Sequence, residues 1–339
     1  MRCCKLLIST SLALGLIPCG QLAYGQASST GAGSGSTVRA AHTYPNKPIR
    51  IVTAEVAAGA DVVARMIAQG LTGRLAQQVV VENRGGSIVI PVERVVKATP
   101  DGHTVLLHGS TVWLLPFLQS NAPYDPVRDF APVTLVASSP NILVVQPALP
   151  VTSVKDLIAL AKARSDGLNY GSSTAGSSSH LAGALFNSMA GVNIQWIPFK
   201  GTGPAMAEMI GGGQVHVMFP NATGVMPHIK SGRLKSLAVT SAKPSALAPG
   251  LPTVASAGLP GYEAETVYEI LAPALTPAVI VNQLNREVVG ILTGLDFREK
   301  FGNAGLEVVA STPQQLAAII RSDMVKMGKV IREAGIRAD

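Results

Sequence analysis

From residue 49 onward, short runs of apolar and β-branched residues alternate with stretches in which apolar side chains recur about every 3.6 positions. Residues 49–53, 79–82, 104–108, 194–198, 215–219 and 235–240 have the length and composition of strands bounded by turn residues. Between the first two, Val63, Ile67, Leu71 and Leu75 fall four apart and draw one apolar stripe along a helix. Apolar strands separated by helices predict parallel sheets buried on both faces. Helix starts are marked as well. Asp61 is positioned as an N-cap, Ser153 and Asp156 have capping-box spacing, and Thr312-Pro313-Gln314-Gln315 combines a cap, an N1 proline and a capping-box glutamine. Pro100-Asp101-Gly102 is a turn between a helix and the strand at Thr104.

Two more extended apolar segments, 141–146 and 262–273, sit where the chain would pass between two halves. Two such passages predict a discontinuous domain of residues 44–141 with 262–339, a continuous one of residues 142–261, and a cleft between them. Clefts at the carboxyl ends of strands are where α/β domains usually take ligands.

The first 27 residues have the order of an export signal: Arg2 and Lys5, an apolar run over 6–17, then small residues around Ala23, Gly25 and Ala27. A membrane anchor needs about 20 apolar residues, and this run is shorter and is interrupted by Ser9 and Ser11. Leu16-Ile17-Pro18-Cys19 has the outline of a lipoprotein box, with Pro18 where a small residue should precede the cysteine. Cys3, Cys4 and Cys19 all lie inside this segment, so the mature chain is expected to have no disulfide or cysteine-based metal site. Residues 28–43, rich in Ser and Gly, read as a disordered linker. What remains, roughly 295 residues, is enough for two domains. The net charge of +7 is modest, and its basic residues are dispersed, which argues against nucleic acid as a partner.

Enzymatic constellations are weak. Gly171-Ser172-Ser173-Thr174-Ala175 approaches the G-x-S-x-G nucleophile elbow but ends in Ala175. A serine hydrolase using Ser173, with His180 as its base, is the enzyme alternative, and it lacks a third group. The six histidines have no close metal spacing. Gly201-Thr202-Gly203 and Gly211-Gly212-Gly213 read as turns or helix caps. Strand-to-helix loops carry more. A helix N-terminus has unsatisfied N–H donors and about half a positive charge, so it can hold an anion without a basic side chain. Ser173, Thr174, Ser177 and Ser178 add hydroxyls to such a loop; Ala57, Ala58, Gly59 and Ala60 would allow close backbone approach; Ser110 and Thr111 form a third candidate, with Trp113 at the rim or in the core.

The order and spacing of several short motifs make the chain resemble the Bug receptors, the extracytoplasmic solute-binding components of tripartite tricarboxylate transporters. They include Tyr44-Pro45-x-Lys47-Pro48-Ile49-Arg50, Val81-Glu82-Asn83-Arg84, Asp129-Phe130-Ala131-Pro132-Val133, His180-Leu181-Ala182-Gly183, Lys200-Gly201 and Leu251-Pro252-Thr253-Val254, and the resemblance covers nearly all of the mature chain. It implies an α/β, two-domain periplasmic binding protein, type II-like, with two crossover strands and an interdomain ligand cleft. It also implies a monomer that is not an enzyme, uses no cofactor or metal, and delivers a small organic acid to the transporter's membrane subunits. A periplasmic sensor serving a signalling membrane protein is the alternative.

Carried over residue by residue, the resemblance nominates Glu55, Ala57, Ala58, Gly59, Ala60 and Asp61 in the first loop and Ser173, Thr174, Ser177 and Ser178 in the second. Ser110, Thr111, Lys200, Gly201, Pro220 and Asn221 complete the candidate site. The chain departs from the family pattern at Glu55, where an aromatic residue is usual, at the Gly85–Pro91 stretch in place of a glycine-rich segment, and at Pro220 in place of an aspartate. These departures predict a ligand less anionic, more amide-bearing or more apolar than a simple dicarboxylate.

Overall fold

The computed structural model describes residues 44–53, 59–85, 87–164, 167–173 and 175–337. The export signal, the linker and all three cysteines lie outside the described residues. Two sheets organise the chain. The six-stranded sheet has the order β11-β4-β10-β3-β1-β2, and the five-stranded sheet the order β7-β6-β8-β5-β9. In the first, β1 (Ile49–Thr53) lies parallel to β2 (Val79–Asn83) and to β3 (Thr104–His108). In the second, β6 (Asn169–Ser172) lies parallel to β7 (Gln195–Pro198) and β8 (Val217–Met218).

The expected parallel α/β sheets are present, with antiparallel strands added where the chain passes between them. β4 (Phe130–Pro140) ends the outward run through the first sheet, and β5 (Ile142–Val145) opens the second after the single residue Asn141. β5 runs antiparallel to β8 and to β9 (Lys235–Val239). The chain then returns as β10 (Glu265–Pro273), inserted antiparallel between β3 and β4. β11 (Glu307–Val308) is an antiparallel edge strand on β4. A segment that leaves one sheet for another and comes back meets its neighbours head to tail, so β5 and β10 each run antiparallel to both of their neighbours.

Helices cover the faces. α1 (Gly59–Leu75) buries Val63, Ile67 and Leu71 against β1, with α8 (Ala278–Leu292) and Phe301 of α9 (Leu295–Asn303) completing that layer. The opposite face holds α2 (Val89–Val96), α3 (Thr111–Leu118) and the 21-residue α10 (Pro313–Glu333). α10 starts from the expected capping box, Thr312 with Gln315. Its apolar residues Leu316, Ile320 and Met327 join a core that also includes Leu185 and Phe186 of α5 (Ser178–Ala190), so this helix spans both sheets. α4 (Val154–Ala163), α6 (Thr202–Ile210) and α7 (Ala222–Lys230) complete the second layer. At α4, Ser153 caps the Asp156 N–H as expected, but the Asp156 carboxylate takes Thr152 rather than closing the box. Among the described residues no helix is long and apolar enough to cross a membrane.

Candidate functional site

The β6–α5 junction is the most heavily braced of the strand-to-helix loops. Ser177 caps α5 by accepting the His180 N–H at 3.3 Å. His180 Nδ1 accepts the Gly176 N–H at 3.0 Å, so the ring folds back over the loop it follows. The imidazole stacks on Trp196 with centroids 3.9 Å apart, and the indole N–H donates to Ser172 Oγ at 2.8 Å. Burial pushes His180 down to about 4, which keeps the ring neutral and its Nδ1 an acceptor. Gly176 adopts φ +77°, and a Cβ there would meet Leu118 Cδ1 of α3 at 2.6 Å. The left-handed backbone favours glycine at this point, where α3 packs on the loop before α5.

A base whose Nδ1 is committed to a backbone N–H holds a loop in place rather than activating Ser173, and the hydrolase alternative loses its partner. The helix start offers something else. With the His180 N–H taken by Ser177 Oγ and the Leu181 N–H by the Ser177 carbonyl, the amides of Ser178 and Ser179 stand at the first turn of the helix, where N–H groups have no partner within the helix itself. Ser173, Ser177 and Ser178 are partly exposed around them.

The β1–α1 junction is built differently. Asp61 lies inside the first turn of α1 and is not its N-cap. Its nearly buried carboxylate accepts Asn83 Nδ2 at 2.8 Å and Arg65 Nε at 3.1 Å, tying the helix to the end of β2. Asp61 is therefore a brace, with both oxygens occupied. A Cβ on Gly59 would collide with the Tyr268 hydroxyl, so this glycine lets β10 approach. Ala60 is buried, and the Thr53 hydroxyl is buried with no partner. Glu55, Ala57, Ala58 and Thr174 lie outside the described residues.

The other candidates divide. Ser110 precedes α3, its carbonyl accepting the Trp113 and Leu114 N–H groups; Thr111 opens that helix. Trp113 is core, 1 % exposed, and its indole donates to Asp323 of α10 at 2.7 Å. Lys200 is exposed, and Gly201 enters α6 at φ +115°. Pro220 is buried, and its carbonyl accepts the Ile142 N–H. Asn221 Oδ1 accepts the Ser139 hydroxyl at 2.7 Å, linking the start of α7 to β4.

Ser110 and Ser178, remote in sequence, share one cavity of about 350 Å³. Glu265 of β10 and Asp323 of α10 also line it, and Thr266 donates its hydroxyl to Ser178 at 2.9 Å. Sequence reasoning missed Thr266, Ser139, Glu265 and Asp323. Thr266 and Glu265 lie in the flagged segment 262–273, which is the signal that could have found them; Asp323 sits on a helix with no local sign of its role.

The family profile described as the tripartite tricarboxylate transporter family receptor matches residues 63–336. Protein BugT of Bordetella pertussis is 35% identical over 301 residues, which is 88% of this chain and 92% of that one. A solved structure titled as Rpa4515 of R. palustris with adipate superposes with a TM-score of 0.72 at 35% identity, covering 87% of this chain and 99% of that chain. MatC (Rpa3494) from Rhodopseudomonas palustris with bound malate superposes at 0.67 with 27% identity, covering 85% and 100%. A profile match across most of both sheets, together with relatives aligned over nearly their whole length, identifies the chain as a member of the tripartite tricarboxylate transporter receptor family, a solute-binding protein of the periplasmic type and not an enzyme.

Proposed function

We propose that this protein captures a small organic acid between its two sheet-bearing halves and delivers it to the membrane subunits of a tripartite tricarboxylate transporter. The observation that carries this reading is the braced start of α5: first-turn amides beside the Ser173, Ser177 and Ser178 hydroxyls, held in place by His180 and Trp196. Donors fixed in advance at the positive end of a helix suit a carboxylate. The adipate and malate named for two relatives support the same ligand class.

In this reading residues 44–141 with 262–339 and residues 142–261 move as two bodies about the strands that join them, closing on the ligand. In the same reading the first-loop candidates Glu55, Ala57, Ala58, Gly59 and Ala60, together with Ser110, Thr111, Lys200, Gly201, Pro220 and Asn221, contribute to ligand capture. The protein acts as a monomer in the periplasm.

Calorimetric titration of the purified protein with mono- and dicarboxylates of three to eight carbons tests the reading. Saturable one-site binding that is weakened at least about tenfold by Ser178→Pro, which removes one amide donor at the first helical position, is the expected result. Absence of binding across the series would overturn it. Glu55→Phe is expected to strengthen dicarboxylate binding; unchanged affinity would mean that Glu55 does not face the ligand.

A further inference from the structure

The cavity shared by Ser110 and Ser178 is acidic. Glu263 and Glu265 reach it from the returning chain and Asp323 from α10, against one basic group, Lys326. Lys326 donates to the Glu263 backbone carbonyl at 3.0 Å, and Asp323 accepts from the Trp113 indole; neither contact joins a carboxylate to an ammonium. Burial raises both Glu265 and Asp323 above the usual carboxylate range; neighbouring carboxylates add to the rise, and Lys326 opposes it in part. Four residues along β10 from Glu265, behind the cavity lining, Glu269 is fully buried with neither oxygen hydrogen-bonded among the described residues. It projects from the same face of β10 as Glu265 and Val267, both of which line the cavity, and it lies close enough to Asp323 to be affected by that charge. An unpartnered buried carboxyl calls for a donor.

An anion here would add to the repulsion among these carboxyls, whereas a cation would relieve it. A metal ion fits poorly, because these carboxylates are not gathered into a group of metal ligands among the described residues. The remaining walls, Trp113, Leu135 and Val267, are apolar and suit methylene groups. The volume lies at the lower end of the range for small-molecule sites.

We propose that this cavity receives the ammonium end of an amino-carboxylate whose carboxylate sits at the α5 start, so that the receptor selects a zwitterionic solute over a dicarboxylate of equal length. The proposal rests on the receptor reading above and names the class of ligand for it. Ser178 is the junction, since it belongs both to the helix start and to the cavity wall.

The test is calorimetry of the full mature protein with 6-aminohexanoate and adipate, and with 4-aminobutanoate and succinate as the shorter pair. At least about tenfold tighter binding of an amino acid than of its matched diacid is expected. Asp323→Asn, which keeps an acceptor for Trp113, should shrink that ratio about fivefold or more, and Lys326→Gln should widen it. Equal or tighter binding of the diacids, or a ratio unmoved by both variants, would overturn the cavity assignment while leaving the receptor reading intact. No binding of any of the four, or of the wider carboxylate series, would overturn both.

Discussion

The strand-to-helix junctions of the two sheets, β1–α1 and β6–α5, are braced by opposite chemistry. At β1–α1 a buried carboxylate, Asp61, gathers Asn83 and Arg65. At β6–α5 a neutral ring, His180, takes a backbone N–H and stacks on Trp196. The first brace is charged and depends on its partners remaining in place. The second adds no formal charge beside the helix start, so the positive end of α5 is left for an incoming anion. A rigid loop can therefore be made with or without charge, and the one proposed to hold carboxylate is the uncharged one.

Breaking the charged brace should have the largest effect. Asp61→Ala removes a nearly buried carboxylate and leaves Asn83 without its acceptor, which is expected to cost roughly 2–3 kcal/mol, tempered by the exposure of Arg65. Urea denaturation measures it; a loss below about 0.5 kcal/mol would show that the brace contributes little. Gly176→Ala comes next, at about 1–2 kcal/mol for a left-handed backbone, plus its collision with Leu118. Leu118→Ala in the same chain should recover the collision part but not the backbone part, and strictly additive losses would mean that the two residues do not touch.

The smallest effect is the most specific. His180→Phe keeps the ring stack and loses the Gly176 acceptor, for about 1 kcal/mol near neutral pH. Its signature is a pH profile. Folding lowers His180 from its ordinary 6.5 to about 4, so its contribution is fully present above 6.5 and is lost as pH falls toward 4, because the unfolded chain binds the proton first. The Phe variant should therefore lose less stability than the parent between pH 6.5 and 4. Parallel profiles over that window would sink the assignment of a neutral, loop-holding histidine.

Much of the secondary structure was legible. Residues 49–53 and 104–108 form strands with the expected limits, because each is a short apolar run between turn residues. β6, Asn-Tyr-Gly-Ser, was not legible; it has weak strand propensity and exists because β7 and β8 flank it. β4 was hidden for another reason. Its prolines and serines interrupt the pattern, and two register irregularities against β10 absorb them. The antiparallel strands were not legible as such, because an apolar run has the same composition in either direction. In the candidate site, the hydroxyl-rich turn before Ser178 could be read directly, whereas the braces could not: Trp196 lies 24 residues from Ser172, and Asp323 lies 210 from Trp113.

By itself the sequence determined the alternation of strands and helices, the caps at Ser153 and Thr312, and the family, since each is written in contiguous residues or in motifs of fixed order. The tertiary structure decided which of those elements share a surface. Only folding could put Ser110, Ser178, Glu265 and Asp323 around one cavity, because burial and charge proximity arise from packing of segments that are distant in the chain.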